Sequence, residues 1–90
     1  MLRIARLAAQ HGASVSPHNP SGPVCHLATL HVAAVAEALL HVETQFDETP
    51  LVSAIVEGDV ALPRDGACAL PAGPGLGARL VDPLPGVGQP

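Results

Sequence analysis

The sequence predicts an α/β fold, and three observations predict it. Two short β-prone runs, residues 13–16 and 39–42, flank a long apolar helical pattern over residues 24–38. Pro17 stops the first run and Glu43 closes the second. The connection between them is long enough for a right-handed crossover, so the two strands should lie parallel in one sheet as a βαβ unit.

The elements follow in order. Residues 2–11 read as a helix in front of that unit, with Arg3, Arg6 and Gln10 on one face and Gly12 where a left-handed cap belongs. His18-Asn19-Pro20-Ser21-Gly22-Pro23 is a loop rich in turn residues. Ser21 suits an N-cap, and Pro23 suits a first turn whose N–H groups have no helical acceptor. In the main helix Val24, Ala28, Val35 and Leu39 share one face, and His26, Thr29, Ala33 and Glu37 share the other. Such all-round apolarity suits a helix that covers a sheet. Residues 51–57 read as a short helix or buried turn. Residues 60–62 and 67–70 are strand candidates around an Asp65-Gly66 reversal. Beyond Pro71 about half the residues are Gly or Pro, so no regular structure is expected there. There is no internal repeat.

Composition excludes several functions. The formal net charge is -4, with no Lys and one aromatic residue, Phe46, so neither a basic stripe nor a stacking platform exists for nucleic acid. No apolar run reaches the ~20 residues of a membrane span, and the N-terminus lacks a signal peptide's apolar centre. Cys25 and Cys68 make neither a disulfide framework nor a Cys-x-x-Cys pair, so a reduced, cytoplasmic setting is expected.

The chemistry points to His18 and Glu43. Each lies at or just beyond the C-terminal end of a predicted strand. Parallel strands place those ends on one rim, where α/β folds bind ligands. An imidazole exchanges protons near neutrality, and a strongly hydrogen-bonded or protonated Glu stabilises charge developing on a substrate oxygen. The Pro17-His18-Asn19-Pro20 frame would hold the imidazole rigidly. The plainer readings are a turn histidine and a solvated carboxylate. Elsewhere, His26 and His31 are five apart and cannot grip a metal as an i, i+4 pair does, so with Cys25 they read as ordinary helix residues. His41 is expected to point into a helix-packing layer. Residues 73–77 read as a tight turn rather than a phosphate cradle, and Cys68 as a small hydrophobe.

Three motifs carry a resemblance. Ser14-Val15-Ser16-Pro17-His18-Asn19-Pro20-Ser21-Gly22-Pro23 resembles the end of the seventh barrel strand in the mandelate racemase branch of the enolase superfamily. Leu40-His41-Val42-Glu43, with Phe46-Asp47-Glu48 and Pro50-Leu51, resembles the eighth strand and its loop. Asp65-Gly66, Pro71 and Gly73-Pro74-Gly75-Leu76-Gly77 resemble the closing segment. Their order and spacing extend the resemblance over roughly residues 1–82.

The resemblance implies the C-terminal part of a (β/α) TIM-type barrel: the last two strand–helix units plus a closing hairpin. On that reading residues 1–57 hold the last barrel strands and helices, 58–82 the closing hairpin and Gly-Pro loop toward the capping domain, and 83–90 a disordered tail. It implies Mg²⁺-dependent abstraction of the proton α to a carboxylate, with His18 as general acid or base and Glu43 hydrogen-bonded to the substrate carboxylate. The Pro-His-Asn-Pro setting resembles the acid-sugar dehydratases, which act on galactonate, gluconate or mannonate-type acids, more than mandelate racemase itself. The family's metal carboxylates, and the Asp that supports its His, would lie upstream of Met1. Its alternative Lys base has no counterpart here. The chain would then be about the last quarter of a homo-oligomeric enzyme, without a stable monomeric fold and inactive alone. A domain of this length buries only ~60–65% of its unfolded surface, and sheet edges would stand open on both sides. Two other readings use the same residues: a small non-catalytic α/β interaction module that folds on a partner or a second copy, and a degenerate reading frame.

Overall fold

The computed structural model describes residues 1–45 and 50–84. Phe46-Asp47-Glu48 of the second motif and residues 85–90 of the expected tail lie outside the described residues. Helix α1 spans Leu2–Gln10, α2 Gly22–Ala33 and the single turn α3 Leu51–Ala54; strands β1 and β2 span Val56–Gly58 and Ala78–Leu80.

Helix α1 ends as its sequence predicts. Gly12 takes φ +67°, a conformation that costs a residue without Cβ nothing. The Ala13 N–H then reaches Ala8 O at 2.9 Å and the Gly12 N–H reaches Ala9 O at 3.2 Å, a full Schellman closure. Ala5 is the buried residue of α1. Arg6 Nε lies 3.6 Å from Glu37 Oε1, an exposed pair of a kind worth ~0–1 kcal/mol.

The predicted parallel pairing is present but shorter than expected. Val15 bridges Leu39 in parallel: the Val15 N–H donates to Ala38 O, and Leu40 N–H donates to Val15 O, each at 2.9 Å. One ladder position replaces the two expected four-residue strands. Parallel strands persist when both faces are covered, and here Leu39 and Leu40 remain exposed.

Helix α2 begins at the expected Ser21 N-cap, with Pro23 in its first turn, but stops at Ala33 rather than at residue 38. Its end tightens through Val35 N–H to Val32 O and Ala36 N–H to Ala33 O. Ala38 then turns to φ +57°, which brings its carbonyl to Val15. The buried stripe is Pro23, His26, Leu27, Thr29, Leu30 and Ala33. Val24 and Val35 face water. The more polar of the two predicted faces is therefore the inner one.

The C-terminal half departs further from expectation. Residues 51–57 split into α3 and the start of β1. β1 pairs antiparallel with β2 in the register Val56↔Leu80, Glu57↔Arg79, Gly58↔Ala78. The strand at 78–80 contradicts the expectation of no regular structure beyond Pro71. Its three residues sit between Gly-Pro groups, and the composition of the whole segment conceals them. Arg79 Nε donates to Glu57 Oε2 at 2.7 Å across the pair. The expected strands at 60–62 and 67–70 reduce to one Arg64↔Ala67 bridge. The expected reversal is present: Asp65 and Gly66 have φ +51° and +78°, the two positive values of a type I′ turn.

Gly77 makes the return to β2 possible. A Cβ there would lie 2.3 Å from Pro71 Cβ, at φ +79°. Gly77→Ala is expected to cost more than ~2 kcal/mol from steric overlap and backbone strain together. A urea midpoint unchanged from the parent chain would contradict this close approach.

The core is small. Leu27, Leu30 and Ala61 form its centre, with Val42, Cys68, Leu76 and Ala78 packed against it. Burial pushes the Cys68 thiol up from its ordinary value, because low-dielectric surroundings disfavour the thiolate. The raised value means less nucleophile at a given pH. At pH ~8, Cys68 is expected to react with iodoacetamide more slowly than a free cysteine peptide, the gap closing as pH rises further. Peptide mass spectrometry reads this; equal rates at pH ~8 would refute it.

Candidate functional site

Two backbone segments deliver the site. The loop after Val15 carries His18 between Pro17 and Pro20, and the segment after Leu39 carries Glu43. Both lie on the C-terminal side of the parallel bridge, so they emerge at the same edge. The two sequence-predicted residues meet there: His18 Nδ1 lies 2.5 Å from Glu43 Oε2. Both side chains are largely in solvent. With a proton on Nδ1 the imidazole donates to the carboxylate, which leaves Nε2 a lone pair and Glu43 its second oxygen. Such a dyad can accept a proton at one atom and orient an acidic substrate at another.

Beneath the dyad lies a buried polar group that the sequence reading did not single out. Asn19, 2% exposed, donates from Nδ2 to Glu43 O at 3.1 Å. The same Nδ2 lies 3.0 Å from His26 Nδ1, and His26 Nε2 lies 3.1 Å from Ala61 O. Asn19 Oδ1 is buried without a hydrogen-bond partner. A buried acceptor left in that state costs about 1–3 kcal/mol. One signal was available for His26: at i, i+4 and i+7 it shares the stripe of Leu30 and Ala33, a polar residue on an inward face. Asn19 carried none beyond its place next to His18.

The remaining histidines serve elsewhere. His31 Nε2 lies 3.3 Å from Leu76 O, tying α2 to the Gly-Pro loop. His41 is exposed rather than inserted in a helix layer, a correction that follows from the shortened strand leaving its flank uncovered. A groove of about 470 Å³ is lined by Leu30, Leu39, Leu40 and Cys68 among others, and by neither His18 nor Glu43. The dyad thus stands on an open edge, and a substrate bound there would need walls from another surface.

Among the described residues, no group of three or more His, Cys, Asp or Glu could hold a metal ion. The described residues therefore do not fit a Mg²⁺ site, which needs several oxygen ligands in near-octahedral array. Among the described residues no helix is long and apolar enough to cross a membrane.

Comparison with known proteins gives the family of the chain. A family model described as enolase C-terminal domain-like matches residues 1–83. A crystal structure of an enolase of the mandelate racemase subgroup from Agrobacterium tumefaciens, with a succinimide residue, sodium and phosphate, is similar at 28% identity and a TM-score of 0.80. The match covers 91% of this chain and 22% of that one, so the chain spans about a fifth of the length of its structural neighbour. No curated protein matches. Enolase-superfamily enzymes include racemases and lyases and generally use Mg²⁺. From its matched span and its α/β architecture, the chain belongs to the enolase C-terminal domain-like family.

Proposed function

We propose that this chain supplies the His18–Glu43 dyad of a mandelate racemase-subgroup enzyme that removes the proton α to a carboxylate, and that its reaction is dehydration of a sugar acid of the galactonate, gluconate or mannonate type. The observation that carries the reading is the direct contact of two side chains 25 residues apart in sequence, both just past a parallel bridge. In this reading residues 1–57 are the last two strand–helix units of a (β/α) barrel, and residues 58–82, with the Asp65-Gly66 reversal, are the closing hairpin and Gly-Pro loop toward the capping domain. The coverage of 22% of the Agrobacterium tumefaciens chain supports a role as part of a larger catalytic body.

Glu43, accepting from His18 Nδ1 at Oε2, donates a proton held on Oε1 to the substrate carboxylate as negative charge builds there during loss of the α-proton. His18, with its own proton on Nδ1 toward Glu43, takes the α-proton at Nε2 and delivers that proton to the departing β-hydroxyl, which leaves as water; the resulting enol becomes a 2-keto-3-deoxy acid. The family's Mg²⁺ enters no step derived from these residues, since the described ones do not fit it. Inactivity of the chain alone, a cytoplasmic setting, a homo-oligomeric parent and the absence of nucleic-acid or membrane partners belong to the same proposal.

The test is co-expression of the 90-residue chain with the part of the Agrobacterium tumefaciens enzyme that the match leaves uncovered. The complex and the isolated chain are each given a panel of sugar acids and mandelate with magnesium in deuterated water. The expected result is α-proton exchange with formation of the 2-keto-3-deoxy acid by the complex, and neither by the isolated chain. Exchange by a complex without the chain, or racemisation of mandelate with no dehydration, would overturn the reading.

A further inference from the structure

We infer that Asn19 and His26 are positioning residues for the His18–Glu43 pair, forming a buried hydrogen-bond clamp whose protons can be arranged in one way. The inference rests on the functional reading above only for the use made of the pair; the clamp itself rests on geometry.

The chain of bonds begins at Ala61. Its carbonyl can only accept, so the His26 Nε2 that faces it at 3.1 Å carries the proton. Nδ1 of the same neutral ring then offers a lone pair, which takes one hydrogen of Asn19 Nδ2 at 3.0 Å. The second hydrogen of that amide goes to Glu43 O at 3.1 Å, again an atom that can only accept. Turning the amide over would set Oδ1 against the Glu43 carbonyl, and moving the ring proton to Nδ1 would set one N–H against another. Asn19 Oδ1 has no partner of its own. The amide is therefore oriented entirely by its two donors.

Both ends of the clamp are fixed. Ala61 is 3% exposed and sits at φ +52°, with its N–H held by Asp59 Oδ1 at 2.8 Å. At the other end, Asn19 is joined to His18 through one peptide bond, and the carbonyl it grips belongs to Glu43 itself. The clamp thus sets the separation of the two backbones whose side chains meet at the surface. His18 and Glu43 are exposed and would otherwise sample many rotamers. Neither Asn19 nor His26 touches the position a reacting atom would occupy, so their effect passes through the pair.

The test uses the full chain, labelled with ¹⁵N at histidine and asparagine side chains, and reads ring protonation by two-bond ¹H–¹⁵N correlation. The wild-type chain is expected to show His26 with a slowly exchanging Nε2–H and an unprotonated Nδ1. A rapidly exchanging Nε2–H, or any Nδ1–H, overturns the clamp, and an unfolded chain gives that result. Asn19→Leu, close in size but without donors, is expected to move the His18 ring signals to those of Glu43→Gln, with helicity by circular dichroism unchanged. His26→Gln keeps a donor for Ala61 O and an acceptor for Asn19, and is expected to retain the wild-type His18 signals where His26→Leu loses them. Unchanged His18 signals in Asn19→Leu and His26→Leu refute the positioning role. No readout here depends on turnover, so an inactive complex in the co-expression test leaves this result to be judged by itself.

Discussion

His18→Asn in the co-expressed complex is expected to lower sugar-acid dehydration by ~10²–10⁴-fold, the usual contribution of a positioned acid or base. Asn keeps a polar group in the loop but cannot take up and release a proton. Glu43→Gln is expected to lower the same rate by ~10²-fold, as an amide N–H is a weaker donor to the developing charge than the carboxylic acid O–H that this role requires. Because the two side chains touch, their losses should not multiply. The double variant is expected to fall no further than His18→Asn alone. Steady-state rates of the four proteins measure this, and a double variant showing the product of the two single losses would mean that the residues act separately.

Leu27→Ala is expected to cost ~2–5 kcal/mol, the range for emptying a well-packed leucine site. Leu27 is 2% exposed and lies at the centre of the small core with Leu30 and Ala61, where few neighbours can collapse into the space. In a chain this short with so small a core, that loss is a large share of the stability its fold can have. Val24→Ala, on the exposed side of the same helix, and Val35→Ala, exposed just past its end, are expected to change stability by less than ~0.5 kcal/mol. Urea titrations with constant slope separate the two faces. Equal losses at Leu27 and Val24 would mean that α2 is packed the other way round.

The contrast between those two faces also marks where the sequence was legible. Local rules with one solution read correctly: Gly12 at a helix end, Pro23 in a first turn and Asp65-Gly66 at a reversal each answer to their own backbone, while Ser21 stands at the N-cap position without a side-chain capping bond. The parallel relation of Val15 and Leu39 was readable because a connection of that length permits it. The end of α2 was not, since Ala34, Val35 and Ala36 suit a helix as well as its exit. What stops the helix is the distant Val15, which takes up the Ala38 carbonyl. Likewise β2 exists because β1 offers it a ladder, and three residues after a glycine-rich turn announce nothing alone. In the site, His18 and Glu43 were visible as residue types at strand ends, and the structure brings them together. Asn19 and His26 were not, because their meaning lies in bonds to Glu43 and Ala61, 24 and 35 residues away.

The Arg64–Ala67 turn has a consequence for the continuity of the polypeptide. Trypsin has four residues to act on, Arg3, Arg6, Arg64 and Arg79. Arg79 lies within a paired strand and is engaged by Glu57, whereas Arg64 stands on an exposed two-residue reversal, the kind of tip that proteases open first. Cleavage after Arg64 would divide the molecule between β1 and β2. The two pieces would still share the three-residue ladder, the Glu57–Arg79 pair and the His31–Leu76 bond. The closing segment is thus attached twice, once by covalent chain and once by pairing, and a nicked molecule would measure how much the second attachment holds.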